Sequence, residues 1–221
     1  MNKNSVRKFW NWAEENGQRV LHLDGTIAEE SWFDDDVTPE AFRKELMACN
    51  GPVTVYINSP GGDCIAASQI YTMLREFPHH VTVKIDALAA SAASVIAMAG
   101  MEVLMAPTAL MMLHNPATVA VGDHGEMERA IEMLDSVKES IINAYQDKTG
   151  LDRKTISRMM EEETWMDAGK AIELGFADGI IGKASDHSGV LFSQKRVDNT
   201  LVNKISGIPI QSFYDRLEKL R

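Results

Sequence analysis

The chain has 221 residues, 45% of them hydrophobic, which is enough for one domain with an ordinary core and no need of a metal or disulfides. Its 22 Lys and Arg stand against 32 Asp and Glu, a formal charge of −10. With no basic stripe to offset that balance, a nucleic-acid-binding role is excluded, because affinity for the phosphate backbone comes largely from clustered cations.

Cys49 and Cys64 form no Cys-x-x-Cys pair, which points to a reducing compartment. Residues 1–12 lack the apolar run of a signal peptide. The most apolar stretch, 87–101, contains Ser91 and Ser94 and stops at Glu102, too short and too rich in small residues to span a bilayer. A soluble, cytoplasmic protein without a membrane partner is expected.

Residues 19–27 alternate as a strand, with Asp24-Gly25 placing a turn or bulge in it. Thr38-Pro39 opens a helix that runs through Cys49, Thr as cap and Pro in the first turn, where its missing N–H costs nothing. A regular alternation comes next. Residues 53–58 form a β-branched strand, 59–62 a tight loop, and 63–77 a helix carried by Ile65, Ala66, Ile70, Met73 and Leu74. Residues 81–86 read as a second strand, 91–100 as an Ala-rich helix, and 102–106 and 109–114 as further strands. This is the pattern of parallel βαβ units, hence an α/β fold.

From 122 to 150 the pattern changes to a long amphipathic helix, with Met127, Ile131, Leu134, Val137, Ile141 and Tyr145 three and four apart, burying one stripe. Asp152 caps a helix toward Met160, Asp167 caps another that closes at Gly175, and 177–182 returns to a strand. The domain is placed at 19–182, after an N-terminal segment of residues 1–18. Residues 183–221 read as a peripheral extension with a short amphipathic helix at 211–220.

Three segments carry possible chemistry. Ser59-Pro60-Gly61-Gly62 joins a strand to a helix. Its glycines allow a sharp turn and close backbone approach, with N–H groups free at the helix start, although a plain βα turn has the same composition. Ser91, within Ala89-Ala90-Ser91-Ala92-Ala93-Ser94, lies at a helix N-terminus, where the dipole favours developing negative charge; a simple N-cap fits too, and local sequence does not choose between Ser91 and Ser94. His114 ends an apolar strand, a position as compatible with a structural histidine as with a base. His22, His79, His80, His124 and His187 have weaker contexts, and no His-Glu-x-x-His spacing supports a metal hydrolase. A serine hydrolase needs a hydroxyl, a base, a group orienting that base and N–H donors for an oxyanion.

Together the segments YINSPGGD (56–63), ALAASAASVIAMAG (87–100), MLHNP (112–116) and ETWMDAGKAIELGFADGII (163–181) resemble the proteolytic subunit of Clp protease and its phage-encoded relatives, over roughly residues 19–181 and in the family's order. The resemblance implies a crotonase-like stack of βαβ units with a protruding handle helix at about 122–150. It implies Ser91 as nucleophile, His114 as base, and the Gly62 and Ala92 amides as the oxyanion hole, with Ser94 at a packing position. The family's catalytic aspartate falls on Glu163, which has the same charge and one more methylene; Asp167 and Glu162 stand as fallbacks. No metal or cofactor is implied.

The implied partners are copies of the chain in a ring, polypeptide substrates, and either a Clp-type ATPase or phage capsid and scaffold proteins. The segment after His114, NPATVAVGDHGEME, is not the glycine-pair sequence usual in the ATPase-dependent enzymes, and the N-terminus does not resemble their axial loop. Both features, and the C-terminal extension, are closer to phage or prophage proteases associated with capsid maturation. Competing readings are a crotonase-type acyl-CoA enzyme, a Ser–Lys peptidase, and a catalytically inactive ring or scaffold subunit.

Overall fold

The computed structural model describes residues 8–182 apart from residue 16 and residues 29–37. The expected extension at 183–221, with its helix at 211–220, lies outside the described residues.

The elements run β1 (Trp10–Glu15), β2 (Gln18–Asp24), α1 (Pro39–Met47), β3 (Val53–Ser59), α2 (Cys64–Arg75), β4 (Val81–Ala90), α3 (Ala92–Ala97), β5 (Glu102–Met105), β6 (Leu110–Leu113), α4 (His124–Thr149), α5 (Arg153–Glu161), β7 (Thr164–Asp167), α6 (Ala168–Glu173) and β8 (Gly179–Ile180). Strands β2, β3, β4, β5 and β8 lie side by side and parallel, with β1 antiparallel at the β2 edge. This is the α/β architecture expected of stacked βαβ units.

Strand β4 organises the site because it changes neighbours along its length. Val83 and Ile85 pair with β5, whereas Ala89 and Ala90 pair with β6. Between the two regions its pairing with β3 slips, from Ile57 opposite Ile85 to Ser59 opposite Ala89, so β4 carries extra residues there. A bulge of this kind bends the strand and turns its end out of the first sheet. Leu88, Ala89 and Ala90 thereby stay extended where the sequence alone indicates only a junction, and α3 starts after Ser91.

Buried positions alternate along β3, where Val53, Val55 and Ile57 are fully covered and Tyr56 is half-exposed. One sheet face is therefore core. The other carries a cross-strand row in which His22 stacks on Tyr56, ring centroids 5.2 Å apart, and the Lys84 ammonium sits 5.4 Å from the centroid of the same tyrosine ring. At the β1 edge, Trp10 packs edge-on against Phe42 of α1 and donates to Glu45 at 2.8 Å, which ties the strand to the first helix.

Side chains fix the helix starts as expected: Thr38 accepts from Ala41 N, Asp152 from Thr155 N and Asp167 from Lys170 N. Asp123 and Glu126 form a reciprocal capping box at α4, and Gly150, with φ 71, closes it. Among the described residues, the apolar side chains of α4 are covered mainly toward its C-terminal end. Ile141, Ile142, Ala144 and Tyr145 are buried, whereas Met127, Ile131 and Met133 are 38%, 59% and 49% exposed.

Candidate active site

Three strand ends meet at the site. Ser91 directly succeeds the last residue of β4, and its N–H donates to Met112 O of β6 at 2.9 Å. His114 comes straight after the last residue of β6. The β6–β7 ladder pairs Met112 with Trp165 and ends at Leu113 with Thr164, so His114 and Glu163 each lie one residue beyond its last pair. Two strand pairings thus bring residues 91 and 114 together and the start of β7 near them, although these segments lie far apart along the chain.

Ser91 has φ 55 and ψ −126, a conformation that a residue with a side chain rarely adopts. Such backbone costs about 1–3 kcal/mol and persists where neighbouring contacts over-determine it. Here three bonds do so: Ser91 N to Met112 O at 2.9 Å, Ser94 N to Ser91 O at 3.0 Å, and Ser94 Oγ to Ser91 O at 2.6 Å. Ser94 is itself buried and pairs with the hydroxyl of Tyr145 at 2.8 Å. Burial pushes that phenol well above its ordinary range, so it stays a neutral hydrogen-bonding group. The sharp strand-to-helix turn leaves the Ser91 hydroxyl free to meet a base.

That base is at hand. His114 Nε2 lies 2.6 Å from Ser91 Oγ, and among the described residues no other side chain bonds to that hydroxyl. Burial holds the imidazole below its ordinary pKa, and the nearby Glu163 carboxylate opposes the shift. Near neutral pH the ring is therefore uncharged and able to accept a proton.

The glycine loop lies against the serine. A Cβ on Gly61 would stand 2.7 Å from Ala90 O, 2.7 Å from Ser91 Cβ and 3.0 Å from Ala92 N, so only glycine lets the two backbones approach this closely. Gly62 forms a parallel bridge with Ile27: Ile27 N donates to Gly61 O at 2.8 Å, and Asp63 N to Ile27 O at 3.1 Å. In that pattern the bonding groups come from residues 61 and 63, so the N–H of Gly62 points away from Ile27. Ala92 is the first residue of α3, and its N–H belongs to the unpaired set at a helix start. Among the described residues, neither expected oxyanion donor is used as a backbone N–H by its own element.

Glu163 comes after Glu162, the C-cap of α5, and adopts φ 50. Glycine or asparagine is usual at such a helix end, and glutamate is not. Its side chain is exposed, and Oε1 accepts from the Trp165 indole N–H at 3.2 Å; no hydrogen bond joins it to His114 among the described residues. It acts on the imidazole through charge. The fallbacks lie elsewhere. Asp167 sits opposite Leu110, at the far end of β6 from His114, and its carboxylate caps α6. Glu162 is an exposed helix cap.

Two side chains here carry no local sequence signal of their role, Tyr145 as the partner of Ser94 and Trp165 as the partner of Glu163. In the sequence Tyr145 is one member of an amphipathic stripe. Trp165 becomes recognisable only once β7 is known.

Among the described residues no helix is long and apolar enough to cross a membrane, and no three His, Cys, Asp or Glu gather as a metal site. The family model for Clp protease matches residues 17–184. ATP-dependent Clp protease proteolytic subunit 1 of Chlamydia muridarum (strain MoPn / Nigg) is 29% identical over 167 residues, covering 70% of this chain and 87% of that protein. The ATP-dependent Clp protease proteolytic subunit of Leuconostoc citreum (strain KM20) is 33% identical over 138 residues, covering 61% of this chain and 69% of its own length. The proteolytic subunit 2 of Treponema denticola is 26% identical over 170 residues, 76% of this chain and 84% of that protein. With more than half its length matched by the family model, the chain belongs to the Clp protease family, a family of serine peptidases.

Proposed function

We propose that the chain is a serine endopeptidase in which Ser91 attacks the peptide carbonyl, His114 accepts its proton and Glu163 orients and stabilises the resulting imidazolium. The 2.6 Å contact between Ser91 Oγ and His114 Nε2 carries this reading. As the Ser91 oxygen bonds to the carbonyl carbon, the carbonyl electron pair moves to oxygen, and the Gly62 and Ala92 N–H groups stabilise that charge. Collapse expels the amine, protonated by His114, and leaves an acyl ester on Ser91. His114 then takes a proton from water, hydroxide adds to the ester, and Ser91 regains its hydrogen. The free enzyme supports the Glu163 role through charge alone; catalytic hydrogen bonds are often long before substrate binds and tighten in the complex.

The chain acts within a ring of its own copies. Support comes from the exposed apolar residues at the outer part of α4, Met127, Ile131 and Met133, which a neighbouring subunit would cover. The substrates are polypeptides. The relatives are ATP-dependent by name, and a Clp-type ATPase or phage capsid and scaffold proteins are the partners this assignment implies.

Labelling with a fluorophosphonate, followed by mass mapping, tests the assignment. The wild type and Ser94→Ala take up one label at residue 91, and Ser91→Ala takes up none and cleaves no peptide. Label on Ser94 would overturn the register. Intact rings with no label at either serine would favour an inactive scaffold subunit.

A further inference from the structure

Glu163 has one more rotatable bond than an aspartate would have at the same place, and its side chain is exposed to water. A carboxylate on such an arm must be held if it is to face His114 in one orientation. The side chain that touches it is Trp165, whose indole N–H donates to Oε1 at 3.2 Å. Trp165 is half-buried in β7, where its backbone pairs with Met112, two residues before His114. The indole is rigid and is a donor only, so it can take one carboxylate oxygen without competing for the proton on the imidazole.

We propose that Trp165 is a positioning residue: its N–H holds Oε1 of Glu163, so that Oε2 is presented to Nδ1 of His114. This rests on the reading of Glu163 as the triad acid. The tether supplies the constraint that a shorter aspartate would have by itself. Glutamate in the left-handed backbone at the end of α5 is then tolerated because a partner two residues on fixes where its head goes.

The test compares Trp165→Phe, Glu163→Gln, the double variant Trp165→Phe/Glu163→Gln, and Trp165→Phe/Glu163→Asp on a fluorogenic peptide. Phenylalanine keeps a smaller aromatic side chain and removes the donor. For Trp165→Phe, kcat is expected to fall about tenfold with KM unchanged, the scale of a hydrogen bond to a charged group. The acid limb of kcat/KM is expected to move to lower pH, because a loosened carboxylate supports protonated His114 less. Trp165→Phe is expected to add nothing on the Glu163→Gln background, and Glu163→Asp is expected to recover most of the loss.

If Trp165→Phe keeps the wild-type rate and pH profile while Glu163→Gln is impaired, the tether is wrong and the triad stands. If Glu163→Gln itself is unimpaired, the underlying reading fails and the tether with it. Should Trp165→Phe fold poorly, the indole 1H–15N resonance of Trp165 in the wild type decides. A hydrogen-bonded shift that moves on Glu163→Gln supports the tether, and a solvent-like shift that does not move overturns it.

Discussion

Replacing Gly61 by alanine tests whether the glycine loop is pressed against the nucleophile. Gly61 has φ +100, and its new methyl would meet Ala90 O and Ser91 Cβ at 2.7 Å and Ala92 N at 3.0 Å. Two of these three atoms are backbone, and the third belongs to a serine pinned by three hydrogen bonds, so none yields easily. Positive φ with a side chain costs about 1–2 kcal/mol, and forcing a methyl into a packed site adds about 1–3 kcal/mol. Gly61→Ala should therefore lose about 2–5 kcal/mol.

Gly25→Ala is the internal control. Gly25 has φ +80 with nothing within 4 Å of the added carbon, so only the backbone cost of about 1–2 kcal/mol applies. Urea unfolding gives the two stabilities, and fluorophosphonate labelling gives the reactivity of Ser91. Gly61→Ala is expected to unfold at clearly lower urea and, where still folded, to label at least about tenfold more slowly, the scale for disturbing an oxyanion donor. Equal unfolding midpoints for the two variants with wild-type labelling of Gly61→Ala would refute the close approach.

Ser94→Ala leaves the buried Tyr145 hydroxyl without its partner and removes one of the two hydrogen bonds to the Ser91 carbonyl, the one from residue 94 N staying, so thermal or urea melts should show a loss of about 1–3 kcal/mol, with labelling retained at Ser91. Because burial holds His114 below the ordinary 6.5, the base stays neutral further into acid, and the acid midpoint of kcat/KM for peptide cleavage should lie below 6.5; a midpoint above it would contradict the burial argument. Ile131→Asp on the exposed part of α4 should change the stability of the isolated subunit by no more than about 0.5 kcal/mol, yet shift sedimentation toward smaller species; unchanged ring mass would place the subunit interface elsewhere.

The βα junctions are legible in the sequence because their chemistry is local. Val53 to Ile57 alternate, Pro60-Gly61-Gly62 breaks the strand before the helix, and Asp63 caps α2 by accepting from Ala66 N. The helix expected at 91–100 is shorter in the structure, since Ala99 and Gly100 bond three residues back and tighten the end. The site is legible in part. Ser91 and His114 each end an apolar strand, but nothing local says that those strands are neighbours.

One strand escapes a local reading for a physical reason. Thr164 to Asp167 is four residues long, comes after an acidic helix end, and is extended because β6 pairs with it from far earlier in the chain. Trp10 to Glu15, by contrast, pairs along its whole length with the strand directly after it, and only its tie to Glu45 is distant. From the residues alone, without the resemblance and without β7, nothing brings Glu163 near the imidazole or shows that the Trp165 indole bonds to it. The long helix has the expected extent, but among the described residues only its second half is buried.

The most direct test of the Ser91–His114 assignment is the structure of the protein after reaction with a fluorophosphonate. Phosphorus is expected on Ser91 Oγ, with the phosphoryl oxygen about 2.7–3.1 Å from both the Gly62 and the Ala92 nitrogens and His114 still beside Oγ. Phosphorus on Ser91 with that oxygen turned to solvent, or phosphorus on another residue, would contradict it.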